Sequence, residues 1–123
     1  MSVSLTPKTR VLVFDAPIEG EAVMDGSEKI IVLDEIEGNP PRYLEGYIDL
    51  SRLEEGDKVL IKHYVKVQLN GQYREYFKRE YGKMSTQLLY VATKPAKYGI
   101  KITAKQTAGR YKTLPYQFFR RRS

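Results

Sequence analysis

The strongest pattern in the chain is an alternation of apolar and polar side chains over residues 58–69. The odd-numbered positions carry Val, Ile, Leu and His63, whereas the even-numbered positions carry mainly Lys and Gln. Because neighbouring side chains of a strand point to opposite faces, a period of two predicts a strand with one buried face. Asn70 and Gly71 follow, and this dipeptide favours a tight turn into a second strand at about 72–81.

The register of this hairpin has two solutions. A two-residue turn places Tyr76 opposite Val65 and points two basic side chains, Arg74 and Lys78, at the core. A loop longer by one residue reverses the faces and points three aromatic rings at the core, those of Tyr73, Phe77 and Tyr81. We favour the longer loop, because burying aromatic rings costs less than burying unpaired charges.

Six further segments carry strand patterns, at 9–15, 29–36, 43–50, 87–93, 99–107 and 111–120. The segment at 29–36 is a continuous β-branched run, which predicts a strand covered on both faces. Pro115 predicts a sheet edge or a bulge in the last segment. Turn residues separate the segments, with a small helical turn at 49–52, and no longer segment shows a helical period. We therefore expect an all-β fold, an antiparallel sandwich of about eight strands.

The length of 123 residues predicts a single domain that spans the whole chain. We expect residues 1–8 to form an N-terminal arm and residues 120–123 a basic C-terminal tail. No stretch approaches 18 apolar residues and no apolar segment opens the chain, so we expect neither a membrane partner nor a secretory signal. Ten tyrosines, no tryptophan and abundant Lys, Glu, Ile and Val are typical of a protein from a hot environment.

Charge divides the sequence between Asp57 and Lys58. Residues 1–57 contain 13 acidic and five basic side chains, a net charge of −8. Residues 58–123 contain two acidic and 16 basic side chains, a net charge of +14. Sorting of this strength predicts a polyanionic partner or a second copy of the same chain.

The residues that could carry chemistry are few. The chain has no cysteine, and its one histidine, His63, lies on the apolar face of a predicted strand, where we expect a structural imidazole. The acidic clusters at 34–37 and 54–57 do not match a calcium-binding loop, and no glycine-rich phosphate loop is present. We therefore expect no enzyme activity, no metal or cofactor, and no small-molecule substrate.

Rows of lysine point to assembly instead. Lys101 and Lys105 share one face of their predicted strand, and Lys62 and Lys66 share one face of theirs. If the two strands are neighbours, one face of the sandwich is rich in lysine and the acidic turns lie elsewhere. Copies of such a molecule would attract one another in a fixed orientation. The predicted interface consists of Tyr111, Tyr116, Phe118, Phe119, Lys101, Lys105, Glu54, Glu55 and Asp57.

Interleaved basic and aromatic residues support an alternative, a nucleic-acid-binding barrel of the OB type. Bases stack on aromatic rings while phosphates contact Lys and Arg. No RNP-type motif is present, so this interpretation is electrostatic only. Its candidate residues are Arg74, Tyr76, Lys78, Arg79, Arg120, Arg121 and Arg122.

About half of the chain resembles small all-β structural proteins from the particles of phages and archaeal viruses. The segments that carry the resemblance are LEEGDKVLIKHYVKV at 53–67, LLYVATKPAKYGIKITAKQTAG at 88–109 and LPYQFFRRR at 114–122. The resemblance implies a jelly-roll sandwich that builds a capsid or tail. We therefore predict a non-catalytic virion component, in capsid, decoration or tail, that binds copies of itself or other structural subunits. A cytoplasmic location belongs to the nucleic-acid alternative.

Overall fold

The computed structural model of the protein describes residues 16–35, 41–83 and 87–122. Eight strands and no helix lie within these ranges. The strands are β1 (Ile18–Val23), β2 (Lys29–Asp34), β3 (Arg42–Asp49), β4 (Lys58–Lys66), β5 (Arg74–Tyr81), β6 (Leu88–Ala92), β7 (Gly99–Ala108) and β8 (Thr113–Arg122). The predicted arm at 1–8 and the predicted strand at 9–15 lie outside the described residues.

The strands form two four-stranded antiparallel sheets. Sheet I has the order β1-β8-β3-β6, and sheet II has the order β2-β7-β4-β5. This is the strand order of a jelly roll, in which two Greek keys wind around one core. The predicted antiparallel sandwich of about eight strands is therefore confirmed. Each sheet ends in two edge strands, so the described fold is a sandwich and not the closed barrel of the alternative.

The core lies between the inner faces of the two sheets. Alternate residues of the central strands point into it, and Leu44, Ile48, Ile102 and Leu114 are fully buried. On β4 the odd-numbered residues face inward and the lysines face outward, as the alternation predicts. An antiparallel sandwich requires sheets of this kind, each with one apolar face on the core and one polar face towards solvent.

A bulge decides the register of the hairpin between β4 and β5. Phe77 lies opposite His63 and Tyr81 lies opposite Val59, so these two rings point inward as predicted. The pairing shifts by one residue next to His63, which leaves Tyr76 as the extra residue of β5. The prediction is wrong for Tyr73, whose hydroxyl reaches outward to a carboxylate, because the bulge changes the face on which the earlier residues lie.

Two strands on the same edge of the sandwich differ from their predictions. β1 was not predicted as a strand; of its six residues only Ala22 is buried, and two glutamates occupy two of its four exposed positions. β2 is shorter than predicted and is an edge strand. Ile30 and Leu33 are exposed, so the expectation of a strand covered on both faces is wrong.

Residues 120–122 of the predicted basic tail belong to a strand, and Ser123 lies outside the described residues. β8 continues to Arg122, and residues 120–122 pair with the start of β3. Pro115 also lies in β8, which is a central strand with no register shift in its pairings, so the expectation of a sheet edge or a bulge at this residue is wrong. The pairing of β8 with β3 ends at Tyr116, one residue after Pro115 in the chain, so the proline lies beyond the end of that ladder.

Candidate functional site

Sheet II has a lysine-rich outer face. β4 and β7 are neighbours, and the outward lysines of the two strands therefore share one surface. Lys62 lies opposite Thr103, and Lys101 lies opposite Tyr64. The adjacency on which the expected lysine-rich face depended is present in the structure.

Carboxylates from the same chain also lie on this outer face. Lys62 Nζ is 3.2 Å from Glu75 Oε1, and this contact is the main reason that the pKa of Lys62 is raised. Lys66 Nζ is 3.6 Å from Glu35 Oε2. Lys101 Nζ lies 4.3 Å from the centre of the Tyr64 ring, a cation–π distance. The outer face of sheet II is consequently of mixed charge.

The acidic turn at 54–57 binds a lysine of the second half of the chain. Asp57 Oδ2 accepts hydrogen bonds from the Glu54 backbone N–H at 2.8 Å and from Lys112 Nζ at 2.9 Å. Oδ1 accepts the Arg110 N–H at 2.9 Å. The Glu54 N–H and then Lys112 lower the pKa of Asp57 below its ordinary value. Asp57 is thereby satisfied within its own chain.

A second acidic residue is bound in the same way, but in the interior. Asp34, at the end of β2, is buried, and Arg42 from β3 meets its two carboxylate oxygens at 2.8 and 3.1 Å. Arg120 from β8 adds a contact of 3.3 Å. Since β2 belongs to sheet II and the two arginines to sheet I, this network joins the two sheets.

These contacts correct the expected separation of charge into patches. The jelly-roll order places strands of the acidic first half beside strands of the basic second half, so β2 pairs with β7 and β3 pairs with β8. Carboxylates and cations that are far apart in sequence therefore meet within one molecule. The contacts between Glu45 and Arg121 and between Glu54 and Lys112 are further examples.

The outer face of sheet I carries exposed aromatic and apolar side chains. We define the aromatic face as Tyr47 on β3 with Leu88 and Tyr90 on β6, which are 41%, 54% and 54% exposed. The two rings meet edge to face, with centres 5.8 Å apart. A groove of about 270 Å³ runs from Tyr47 and Leu88 to Pro115. This face is not among the surfaces predicted from the sequence, although the uncharged run Leu88–Ala92 indicates it.

The predicted interface residues differ in how far they are exposed to solvent. Tyr111 is 60% exposed, and Lys105, Glu54 and Glu55 are also exposed. Lys101, Tyr116 and Phe119 are half-buried, with Phe119 on the outer face of sheet I beside Arg121. Phe118 is fully buried in the core and Asp57 is buried in its turn. Neither Phe118 nor Asp57 is available to a second copy.

The candidate nucleic-acid residues are divided between two sheets. Arg74, Tyr76, Lys78 and Arg79 lie on β5 of sheet II, where Arg79 stacks over the Tyr81 ring at 5.3 Å. The residues at 120–122 lie on β8 of sheet I, where Arg120 contacts Asp34 and Arg121 contacts Glu45. The structure does not bring these residues together on one surface.

A cleft of about 320 Å³ lies between β5 and β6, and His63 forms part of its lining. The imidazole stacks on Phe77 at 4.4 Å and meets Tyr76 edge to face at 5.9 Å. His63 is 5% exposed, and its Nε2 is buried without a hydrogen-bond partner. Burial lowers the pKa of His63 to about 4, so the ring is neutral at ordinary pH.

Within residues 16–35, 41–83 and 87–122, no three His, Asp or Glu side chains are grouped so that they could hold a metal ion. The same ranges contain no helix with the length and apolar character needed to cross a membrane. No protein-family model, no curated protein and no solved structure matches the chain.

Proposed function

We propose that the protein is a non-catalytic structural protein that binds copies of itself as a component of a virus particle. Its strand order supports this proposal, because jelly rolls with two four-stranded sheets are common building blocks of viral capsids. The resemblance of residues 53–67, 88–109 and 114–122 to virion proteins points in the same direction. Neighbouring structural subunits are the proposed partners, and the virion is the proposed location.

The aromatic face is the observation that carries the proposal. Tyr47, Leu88 and Tyr90 form a contiguous exposed surface on one sheet. Contiguous apolar patches with a polar rim are typical of protein–protein contacts, and tyrosine is enriched in the centres of such contacts. Glu45 and Arg121 lie beside the rings and supply the polar rim.

This surface changes the proposed mechanism of attraction. The carboxylates at Asp34 and Asp57, expected to attract a second copy, instead bind arginine and lysine within the chain. Association is therefore driven mainly by apolar burial. The exposed side chains Lys105 and Glu55 contribute orientation at the rim.

Light scattering after size-exclusion chromatography tests the proposal. We expect a defined assembly with a mass several times that of the 14.2 kDa chain, and electron micrographs that show a regular particle or array. Tyr47→Lys places a charge in the aromatic face and should shift the protein towards the monomer. The control is Leu33→Lys, which places the same charge at an exposed position of β2 in sheet II. Thr103 on that sheet is not used because its side chain is buried. A monomeric wild-type protein at all concentrations would contradict the proposal.

A second candidate function uses the opposite face. Lys62, Lys66, Lys101 and Lys105 lie on adjacent strands of sheet II, and the rings of Tyr64 and Tyr73 lie among them. Nucleic acid would bind there through phosphate contacts. The test is titration of a single-stranded oligonucleotide at several salt concentrations. Binding that weakens steeply with salt, and that Lys105→Glu weakens further, would favour this candidate.

A further inference from the structure

The four edge strands of the sandwich differ in how well they are protected against pairing with another chain. β1 carries two glutamates, β2 has a bulge after Ile30, and β5 has a bulge beside its pairing with His63 as well as five charged residues. Charges and bulges are among the features that prevent edge strands from pairing with other chains. β6 has neither, because its sequence is Leu-Leu-Tyr-Val-Ala and its pairing with β3 is regular.

Among the described residues, none pairs through its backbone with the outer side of β6. Next to β6, the Leu50 N–H donates to the Gln87 carbonyl at 2.7 Å, and the Thr93 N–H donates to the Leu44 carbonyl at 2.9 Å. Backbone groups alternate in direction along an antiparallel strand, so the odd-numbered residues of β6 bond to β3. The N–H and C=O groups of Leu88, Tyr90 and Ala92 therefore point away from β3, towards the open edge.

The next residue in this alternation shows how such a group is satisfied where a partner is present. The Lys94 N–H donates to the hydroxyl of Tyr76, which reaches across from β5, at 2.9 Å. Lys94 follows the last residue of β6 by two positions and has the same parity as Tyr90. Within the described part of the chain, no side chain binds the outward backbone groups of Leu88, Tyr90 and Ala92 as the Tyr76 hydroxyl binds the Lys94 N–H.

We propose that β6 pairs with β6 of a second copy of this chain, antiparallel and about a twofold axis that passes beside Tyr90. This inference builds on the proposed self-association and names the strand that makes the contact. β6 suits an identical partner because it carries no charge, so no like charges meet when the strand pairs with itself. The contact joins the two copies of sheet I into one continuous eight-stranded sheet, since each contributes the four strands of its own.

The register follows from the alternation. With the axis beside Tyr90, residue 90 faces residue 90 of the second copy, and Leu88 faces Ala92. Each of these is a hydrogen-bonded pair that exchanges two bonds, which gives about six new bonds in all. The register also keeps the faces matched, because Leu88 and Tyr90 of the two copies lie side by side on the outer face and bury part of each other's apolar surface, whereas Leu89 and Val91 remain over the core.

The absence of cysteine from the chain allows a direct test of this register. In the proposed pair the Cα atoms of the two residues 90 are about 5.5 Å apart, which a disulfide can bridge. We expect Tyr90→Cys to form a covalent dimer on mild oxidation. Leu88→Cys is the matched control, because Leu88 has the same 54% exposure on the same strand. Its two copies would lie roughly 13 Å apart, beyond disulfide reach.

Two charge substitutions test the contact without a new cysteine. Tyr90→Lys should convert the assembly to smaller species, and Ile30→Lys, at a 56% exposed position on the edge strand β2, should leave its size unchanged. Circular dichroism and the unfolding midpoint show whether both variants are folded. Cross-linking at both cysteines or at neither, or equal effects of the two lysines on an assembled wild type, would overturn the β6 contact and leave self-association standing. A wild-type protein that is monomeric at all concentrations would overturn both proposals.

Discussion

His63 places a titratable ring between two aromatic side chains, in a position where its Nε2 has no partner. A buried polar atom without a hydrogen bond lowers the stability of the folded state. Phenylalanine has a similar shape and no such atom, and the adjoining cleft has room for its slightly larger ring. We expect His63→Phe to increase the free energy of unfolding by about 1 kcal/mol in neutral buffer, as measured by urea denaturation.

The same residue should make the stability depend on pH. The pKa of His63 is about 4 in the folded state and 6.5 without the protein environment, so the unfolded chain binds the proton more readily between these values. Stability is complete above the higher value and falls as the pH falls through this window, by about 3 kcal/mol at most. The difference between wild type and His63→Phe isolates this effect from the carboxylates. Equal pH profiles for the two proteins would show that His63 is not buried as described.

Asp34 is the centre of a buried network of ion pairs with Arg42 and Arg120. Replacing it with asparagine keeps the size of the side chain but leaves the buried Arg42 guanidinium without its counter-charge. We expect Asp34→Asn to lower the free energy of unfolding by about 3 kcal/mol, since breaking a buried ion pair strands the other charge. The control is Asp25→Asn, because Asp25 pairs with Lys29 at the surface and should matter little. A loss as small for Asp34→Asn as for Asp25→Asn would contradict the assigned network.

At the scale of the strands, Gly46 permits the close approach of β3 to β8. A Cβ atom at this position would lie 2.0 Å from the Gln117 carbonyl oxygen and 2.7 Å from the Phe118 Cα. Both neighbours are backbone atoms in the centre of sheet I and cannot move without disturbing the ladder. We expect Gly46→Ala to cost about 3 kcal/mol of stability in urea denaturation.

The matched control for Gly46→Ala is another alanine substitution at a glycine with ordinary geometry. Gly82 has a single neighbour at 3.5 Å, the Asp57 carbonyl oxygen, which is a normal contact distance. Gly82→Ala should therefore leave the unfolding midpoint nearly unchanged. If both substitutions had the same effect, the two strands would not approach each other as described.

The turn that contains Asp57 makes the stability of the fold depend on pH in the acid range. Because hydrogen bonds to Glu54 N–H and Lys112 lower the pKa of Asp57, its contribution to stability is present at neutral pH and is lost as the pH falls through the lowered value. We expect Asp57→Asn to reduce the urea midpoint at neutral pH. The difference from wild type should disappear in strong acid, where both side chains are uncharged. A difference that persists there would mean that the carboxylate charge is not what binds Lys112.

The sequence predicts most strands but not their irregularities. β3, β4 and β7 alternate clearly, and their predicted limits differ from the observed ones by at most three residues. β1 was not predicted because an edge strand with few buried side chains shows no alternation of apolar and polar residues. Ala22 is its only buried residue. The bulge next to His63 arises from how β5 fits between the turn and the core, which no local pattern records.

At the scale of the molecule, the topology explains why charge sorted along the sequence is not sorted over the surface. The two Greek keys place strands from the acidic and basic halves side by side in both sheets. Pairs such as Lys66 with Glu35 and Arg121 with Glu45 follow from that arrangement. Charge counting alone could not have found them, because it carries no information about which strands are neighbours. The aromatic face, in contrast, could have been predicted from the sequence. The uncharged run at 88–92 indicates it, but that run was interpreted only as a strand.

The central claim is that copies of this chain associate through the apolar edge of sheet I and not through complementary charge. Sedimentation velocity of the wild-type protein in about 0.05 M and about 1 M NaCl tests this claim most directly, because salt at the higher concentration screens exposed charges beyond about 3 Å. We predict an assembly of the same size in both buffers, with equal or stronger association at the higher salt concentration. An assembly that dissociates as salt is added, or a monomer in both buffers, would contradict the account.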